Sequence, residues 1–396
     1  VTGMDEYHDG NVKLCPPIFE PHLLNLERAR AIRESCDVLV NISGAIMDVQ
    51  EAERVLREGA ADLVLLGRSL VADPFWPKKV LEGREDDIVP CIRCNNCYHI
   101  ATEHFNTCCT VNPRVYRENR VPLTLPRAQT ARSVVVVGGG PAGLKAALTA
   151  AQRGHQVTLV EQSGALGGLM IPASVGAFKE DLRRYLSYLR RQVEKTQIHV
   201  MLHTRADRAL LEHLHPDAVI LAVGGRAVMP PVPGLGTSGA VQAVALLNAG
   251  LETAGTRVTI LGGGSIGCEL ALELAALDRM VTVVELRDKL AANGNELYRQ
   301  DLMLHLEQET RITILTQTVC TGVTAQGCTV REKDGGTRVI PHDTFVIAAG
   351  LRADADAVEA LYGVVPETYY VGDCKRAASI TEATTEAYFL GASLKI

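Results

Sequence analysis

The chain has 396 residues, 47% of them hydrophobic and 22% charged, with 35 glycines and a formal net charge of −6. That is enough chain for two or three domains with their own cores, in the composition of an ordinary α/β protein. No basic stripe invites nucleic acid, no apolar run approaches the roughly 20 residues that cross a bilayer, and the opening Val-Thr-Gly-Met-Asp-Glu is not a signal peptide.

Residues 1–85 read as βα units. Leu23 to Glu34 has helical periodicity, and Asp37-Val-Leu-Val-Asn-Ile42 reads as a buried strand ending in Ser43-Gly44. Asp48 to Glu58 is predicted helical, with Asp48 as N-cap and Gly59 as the stop. Ala61-Asp-Leu-Val-Leu-Leu66 reads as a second buried strand, ending in Gly67-Arg68. Strands alternating with helices imply a parallel sheet. Two or three such units neither close a barrel nor cover both faces of a sheet. Val38, Leu39, Val40, Leu63, Val64 and Leu65 are therefore expected to stay partly uncovered unless more chain or a partner completes the sheet.

Residues 86–115 hold the cysteine segment, Cys91-Ile-Arg-Cys94-Asn-Asn-Cys97, with Cys108 and Cys109 after a short loop. Of 11 cysteines in all, five lie in this segment and six are scattered. This uneven distribution opposes a disulfide framework and favours a reducing compartment, the cytoplasm, with one metal site. Thiolates select soft metals and iron–sulfur clusters, and C-x₂-C-x₂-C with a fourth cysteine after a loop suits a four-iron centre. Cys91, Cys94, Cys97 and Cys109 are the expected ligands, with Cys108 the rival for the fourth place. Zinc, more usually held by two paired C-x₂-C knuckles, is the alternative, and His99 and His104 are further candidate ligands.

Arg114 to Arg132 is basic and proline-bearing and reads as a linker. Ser133 to Val137 is a strand, followed by Gly138-Gly-Gly140-Pro-Ala142-Gly143, a helix from Pro141 to Arg153, and a strand Gln156 to Val160 ending in Glu161. The same pattern recurs in full. Strand Arg257 to Leu261 leads into Gly262-Gly-Gly264-Ser-Ile-Gly267, then a helix from Ile266 to Leu277 and a strand Met280 to Val284 ending in Glu285. In each copy the acid stands 18 residues past the last glycine (143 to 161, 267 to 285). With strand, turn and helix all in place, each is a dinucleotide fingerprint. The glycines admit the pyrophosphate to the backbone and the helix N-terminus, and the acid accepts a ribose hydroxyl. Asp217 to Gly225 and Asp343 to Gly350 are further strands ending in glycine, and Tyr370-Val-Gly372-Asp373 closes a strand before a helical tail.

The first copy resembles the FAD site of two-dinucleotide flavoproteins. There the C-terminal Gly372-Asp373 returns to the flavin, Asp373 bonds the ribityl chain, and Gly164 to Gly168 pass close by. The second copy, inserted between the halves of the first, is the expected NAD(P)H site. Glu285 favours NADH because a carboxylate repels a 2′-phosphate, while Arg287, read as a solvated residue, keeps NADPH open.

Three groups of residues carry a wider resemblance: Glu58 to Pro74, Cys91 to Cys97 with Cys109-Thr-Val-Asn-Pro113, and the two fingerprints with Val371-Gly-Asp-Cys374. Together they cover nearly the whole chain. It resembles the iron–sulfur branch of the old yellow enzymes, which includes 2,4-dienoyl-CoA reductase, 2-enoate reductase and trimethylamine dehydrogenase. The resemblance implies a TIM barrel with FMN, then the cluster, then FAD and NAD(P)H domains. Electrons would pass from NAD(P)H through FAD and a 4Fe-4S cluster to FMN and an activated C=C bond in a small unsaturated substrate. It makes Gly44, Gly67 and Arg68 the FMN-phosphate residues on the loops after the last barrel strands.

The expected organisation is residues 1–85 as the C-terminal part of a barrel and 86–120 as the cluster segment. Residues 121–250 with 341–396 form the FAD domain, and 251–340 the NAD(P)H domain. Ala222-Val-Gly-Gly225 departs from the family's Ala-Thr-Gly. The earlier barrel strands would hold the proton donor, so no catalytic residue is assigned. A homo-oligomer, or completion by preceding chain, is expected. An electron-transfer module serving a partner is the alternative function. A disulfide reductase is a third reading, but it needs a dithiol beside the first fingerprint helix, and no cysteine lies between Cys109 and Cys268.

Overall fold

The computed structural model describes residues 13–102 and 107–394. It divides into two compact units, one made of Val1–Ser174, Phe178–Gly225 and Ala353–Ile396, the other of Val175–Ala177 and Arg226–Arg352.

The first unit begins with α1 (Leu26–Ser35), β1 (Asn41–Ile42), α2 (Val49–Arg57), β2 (Leu63–Val64), α3 (Arg68–Ala72) and α4 (Trp76–Leu81). The α2 start is a capping box: Asp48 accepts from the Glu51 amide, and Glu51 reaches back to the Asp48 amide. Gly59, at φ 66°, ends that helix in the left-handed region. β1 and β2 pair in parallel, Asn41 with Leu63 and Ile42 with Val64.

Both strands are shorter than the sequence suggested, and neither is buried throughout. Val40 and Ile42 pack with Leu26, Val55 and Ala60 under the helices. The opposite face is open, with Leu39 81%, Leu63 56%, Val38 54% and Leu65 53% exposed. An open face is what the sequence led one to expect of βα units too few to cover both sides of a sheet, although Val40 is buried. With helices on one face and each strand pairing only the other, half of each run has nothing to pack against.

The rest of this unit is a parallel sheet of β3 (Ser133–Val137), β4 (Gln156–Val160), β5 (His199–Met201), β6 (Ala218–Leu221) and a C-terminal strand, Thr368–Tyr370. From the C-terminal strand across, the order is Thr368–Tyr370, β6, β3, β4, β5. Order therefore reverses between β3 and β6, the switch point at which doubly wound sheets bind ligands. Helix α5 (Pro141–Gln152) follows β3, α6 (Glu180–Glu194) precedes β5, and the C-terminal helix Ile380–Ser393 packs on α5. β3 and β6 are almost wholly buried, because helices and loops cover both faces of the sheet. The 114–132 stretch has neither helix nor strand, as its composition suggested.

The second unit repeats the plan. Its sheet consists of Arg257–Leu261, Met280–Val284, Ile312–Leu315, Thr344–Ile347 and a short edge strand, Val241–Gln242, all parallel. A separate antiparallel meander, Val319–Val323, Gly327–Arg331 and Thr337–Pro341, completes it. No helix among the described residues is long and apolar enough to cross a membrane.

A buried polar network ties the first unit's parts together. Arg93 donates through Nε to Asp181 on α6 at 2.6 Å and through Nη1 to the carbonyls of Pro17 and Glu20 at 2.8 and 2.6 Å. His22 meets Glu51 at 2.5 Å and Asp181 at 3.1 Å. Burial opposes charging His22, but its bonds to Asp181 and Glu51 outweigh this and raise it to about 9. Both carboxylates are held below their ordinary values: burial works the other way, but it is overcome by the His22 bonds and by charge from Arg93 and Arg184.

The raised histidine contributes stability that is complete below its ordinary value of 6.5 and is lost as pH rises through about 9. The lowered acids contribute above their ordinary values and lose it as pH falls. Melting temperature should therefore decline on the alkaline side between those two values, and H22Q should start lower and decline less. Thermal melts of both proteins across that range check it. Equal alkaline slopes would show that His22 does not carry the charge.

Candidate functional site

The two glycine loops are built alike, residue for residue, at an offset of 124 (262 − 138, 267 − 143, 285 − 161). The Gly139 amide donates to Glu161 Oε2 at 2.6 Å and the Ser163 amide to Oε1 at 2.7 Å. The Gly263 and Arg287 amides make the same two bonds to Glu285, at 2.6 and 2.7 Å. Each acid thus clamps its own loop while keeping lone pairs for a ribose hydroxyl.

A Cβ on Gly143 would fall 1.8 Å from the Gly138 carbonyl oxygen, and one on Gly267 2.0 Å from that of Gly262. Only glycine allows either helix to start this close to its strand. Gly138 and Gly262 lie against the carbonyls of Ala222 and Ala348, on the neighbouring strand at each switch point. Gly140 and Gly264 are the N-caps of the two helices, so the helix N-termini open onto the loops.

The first loop is further enclosed. Gly168, at φ 51°, approaches Gly140 so closely that a Cβ would come 2.9 Å from the Gly140 Cα. A Cβ on Gly372 would meet that of Ala142 at 2.8 Å. The C-terminal Gly372-Asp373 turn therefore reaches the first fingerprint, as the resemblance implied. Burial pushes the Asp373 carboxyl up, and its Oδ1 accepts the Ala378 amide at 3.1 Å.

Cys91, Cys94, Cys97 and Cys109 line one pocket with Arg68, Ile92, Asn95, Thr110 and Val111. Cys108 is absent from that lining. None of the cysteines is paired in a disulfide. Burial above all pushes Cys91 to about 11 and Cys97 to about 12, and Cys109 well above its usual value; neighbouring thiolates add to the rise, and Arg68 opposes it at Cys91 and Cys97. Thiols crowded and buried in this way ionise only with a cation among them, which fits a metal centre.

His99 lies on the helix Asn96–Thr102 outside the pocket lining, and His104 lies outside the described residues.

Gly44, Gly67 and Arg68 follow the two short strands. The ends of β1 and β2 do bring Gly44 and Gly67 to one side of the parallel pair. Arg68, however, donates through Nη1 to the Pro16 carbonyl at 2.8 Å and to Asn95 Oδ1, and lines the cysteine pocket. It opens α3 directly after Gly67, and from there its side chain reaches the Cys94–Cys97 turn. The resemblance offered a phosphate as its partner and had no sign of Asn95.

Two further residues escaped the sequence reading. Thr110 Oγ1 is 3.1 Å from Cys94 Sγ and 2.7 Å from Thr381 Oγ1. A threonine beside a cysteine motif gives no signal, and Thr381 is 271 residues away in sequence.

Residues 132–387 match the family model of the pyridine nucleotide-disulphide oxidoreductases. Bilirubin reductase of Mediterraneibacter gnavus is 33% identical over 386 residues, covering 96% of this chain and 59% of that protein. Cinnamate reductase of Clostridium sporogenes is 29% identical, covering 94% of this chain and 56% of that protein. The solved structure of a 2-naphthoyl-CoA reductase superposes with a TM-score of 0.91 at 26% identity, covering 96% of this chain and 58% of that one. The chain thus spans less than two thirds of the length of each of these relatives. Its fold, its paired fingerprints and the family match agree: the chain belongs to the pyridine nucleotide-disulphide oxidoreductase family and carries that family's oxidoreductase domain.

Proposed function

We propose that the protein is a flavin- and iron–sulfur-dependent ene-reductase that takes hydride from NADH and, by way of FAD, a 4Fe-4S cluster and FMN, delivers the electrons to an activated C=C bond. The observation that carries this reading is a pocket of four cysteines in the same unit as the first fingerprint. Cys109 and Val111 share a hydrophobic core with Leu144 and Ala147 of the fingerprint helix α5. A cluster there would lie beside the flavin loop, which suits one-electron transfer between the two.

Gly138, Gly140, Ala142, Gly143, Glu161, Gly168, Gly372 and Asp373 would hold FAD. Gly262, Gly264, Gly267 and Glu285 would hold NADH, and Cys91, Cys94, Cys97 and Cys109 the cluster. The names of the similar reductases support an enoate, enoyl thioester or related conjugated substrate. The uncovered face of β1 and β2 supports completion of a barrel around FMN by further strands, from the same polypeptide or from a partner. Gly44 and Gly67 remain the proposed phosphate loops, with Arg68 between them and the cluster. The same open face favours a second reading, in which this chain relays electrons to a partner that carries the substrate site.

Three measurements test this reading. Anaerobically purified protein should hold about four irons, and C94A should lose the broad visible absorbance. Stoichiometric zinc without iron would exclude the cluster, and iron lost in C108A but kept in C109A would move the fourth ligand.

In E285A, NADH binding should weaken by about 1.5–3 kcal/mol, the worth of a charged hydrogen bond, and the gap to NADPH should narrow. A wild-type preference for NADPH would contradict the role given to Glu285.

The 396-residue chain alone should reduce dyes with NADH yet fail to reduce an enoate. Robust enoate reduction by this chain without added polypeptide would show that the substrate site has been misplaced.

A further inference from the structure

The cysteine pocket carries a hydroxyl chain that neither the family match nor the cysteine spacing assigns. Thr110 is 2% exposed and follows Cys109 directly. Its hydroxyl is 3.1 Å from Cys94 Sγ and 2.7 Å from the Thr381 hydroxyl. Asn96 Nδ2 donates to Thr381 Oγ1 at 2.7 Å and to Thr110 Oγ1 at 3.2 Å. Thr384 donates to the Thr110 carbonyl at 2.6 Å, so the C-terminal helix holds Thr110 by both its hydroxyl and its backbone.

A hydroxyl has one proton to give and two lone pairs. With a thiol at Cys94 the chain can run in either direction. A metal-bound Cys94 has no proton and can only accept. Thr110 must then donate to the sulfur, Thr381 to Thr110, and Asn96 to both. Every donor in the set is used, and the chain points one way, toward the sulfur. A hydrogen bond to a cluster thiolate draws charge from the sulfur and favours the reduced cluster. A second hydroxyl behind the first polarises it further.

We propose that Thr110 and Thr381 are positioning residues that raise the reduction potential of the cluster through the Cys94 sulfur. Because Thr381 stands in the first turn of Ile380–Ser393, just after the Gly372-Asp373 turn, the chain also ties the cluster to the segment expected to face the flavin. The inference rests on the cluster reading above and deepens it.

The test uses the 396-residue chain, reconstituted anaerobically with ferrous iron and sulfide, assayed for iron, and titrated stepwise with a reductant while the reduced cluster is followed by electron paramagnetic resonance. T110V should shift the midpoint to more negative potential. T381V should shift it the same way by less, and T110S should stay at the wild-type value. Wild-type protein that takes up no iron overturns this inference together with the cluster reading. Full iron with an unshifted midpoint in T110V overturns this inference alone, as does T110S shifting as far as T110V. If T110V fails to hold iron, T381V decides: an unshifted midpoint there also overturns the inference.

Discussion

The Arg93–Asp181 ion pair is the contact on which the first unit depends. Its partners are 5% and 2% exposed, and it joins the cysteine segment to α6. Arg93 lies between Cys91 and Cys94. Asp181 opens α6 of the nucleotide-binding domain, and His22 brings in the βα segment before the cysteines. Removing one partner from such a pair leaves a buried charge, at a cost of about 3–5 kcal/mol. The exposed pairs nearby, Arg191 with Asp86 and Arg54 with Glu58, contribute far less because water screens them. The pair's main consequence is geometric. Arg93 has φ 47°, an uncommon conformation for a bulky side chain, and its guanidinium is held by one carboxylate and three carbonyls. That constraint sets the turn on which Cys91 and Cys94 are presented.

The nucleotide loops achieve rigidity by another route. In both, a carboxylate at the end of the second strand bonds a glycine amide in the loop and the amide two residues beyond itself. These charge-assisted bonds fix the loop before any ligand arrives, so less ordering entropy is lost on binding. The duplication extends to the enclosing contacts: Gly167 bonds the Gly139 carbonyl at 2.7 Å, and Ala291 bonds that of Gly263 at 2.8 Å. The first loop has a further enclosure, the C-terminal turn whose Gly372 packs against Ala142 of α5.

The cysteine pocket combines opposing demands. It is apolar enough to raise its thiols well above their usual values, yet it is lined by Arg68, Asn95 and Thr110, which can receive or balance charge. Arg68 has partners that the sequence reading did not name. Its place after a strand's terminal glycine suggested a phosphate, whereas its hydrogen bonds run to Asn95 and Pro16.

Local chemistry made a good part of this protein legible. Strand, glycine turn, helix and terminal acid lie within about thirty residues of one another, so β3, α5, β4 and their repeats could be read directly, as could the Asp48 cap and the Gly59 stop. The cysteine spacing marked a shared site for the same reason. What sequence alone could not reveal depends on partners far apart in the chain. Whether Val38 and Leu39 are buried depends on which strands lie beside them, and apolar character says only that burial would be favourable. Thr110 meets Thr381, and Arg93 meets Asp181, only because two helices of the nucleotide-binding domain pack against the cysteine segment. The residue types at these positions suit many partners, and the tertiary structure selects among them by bringing one within hydrogen-bonding distance.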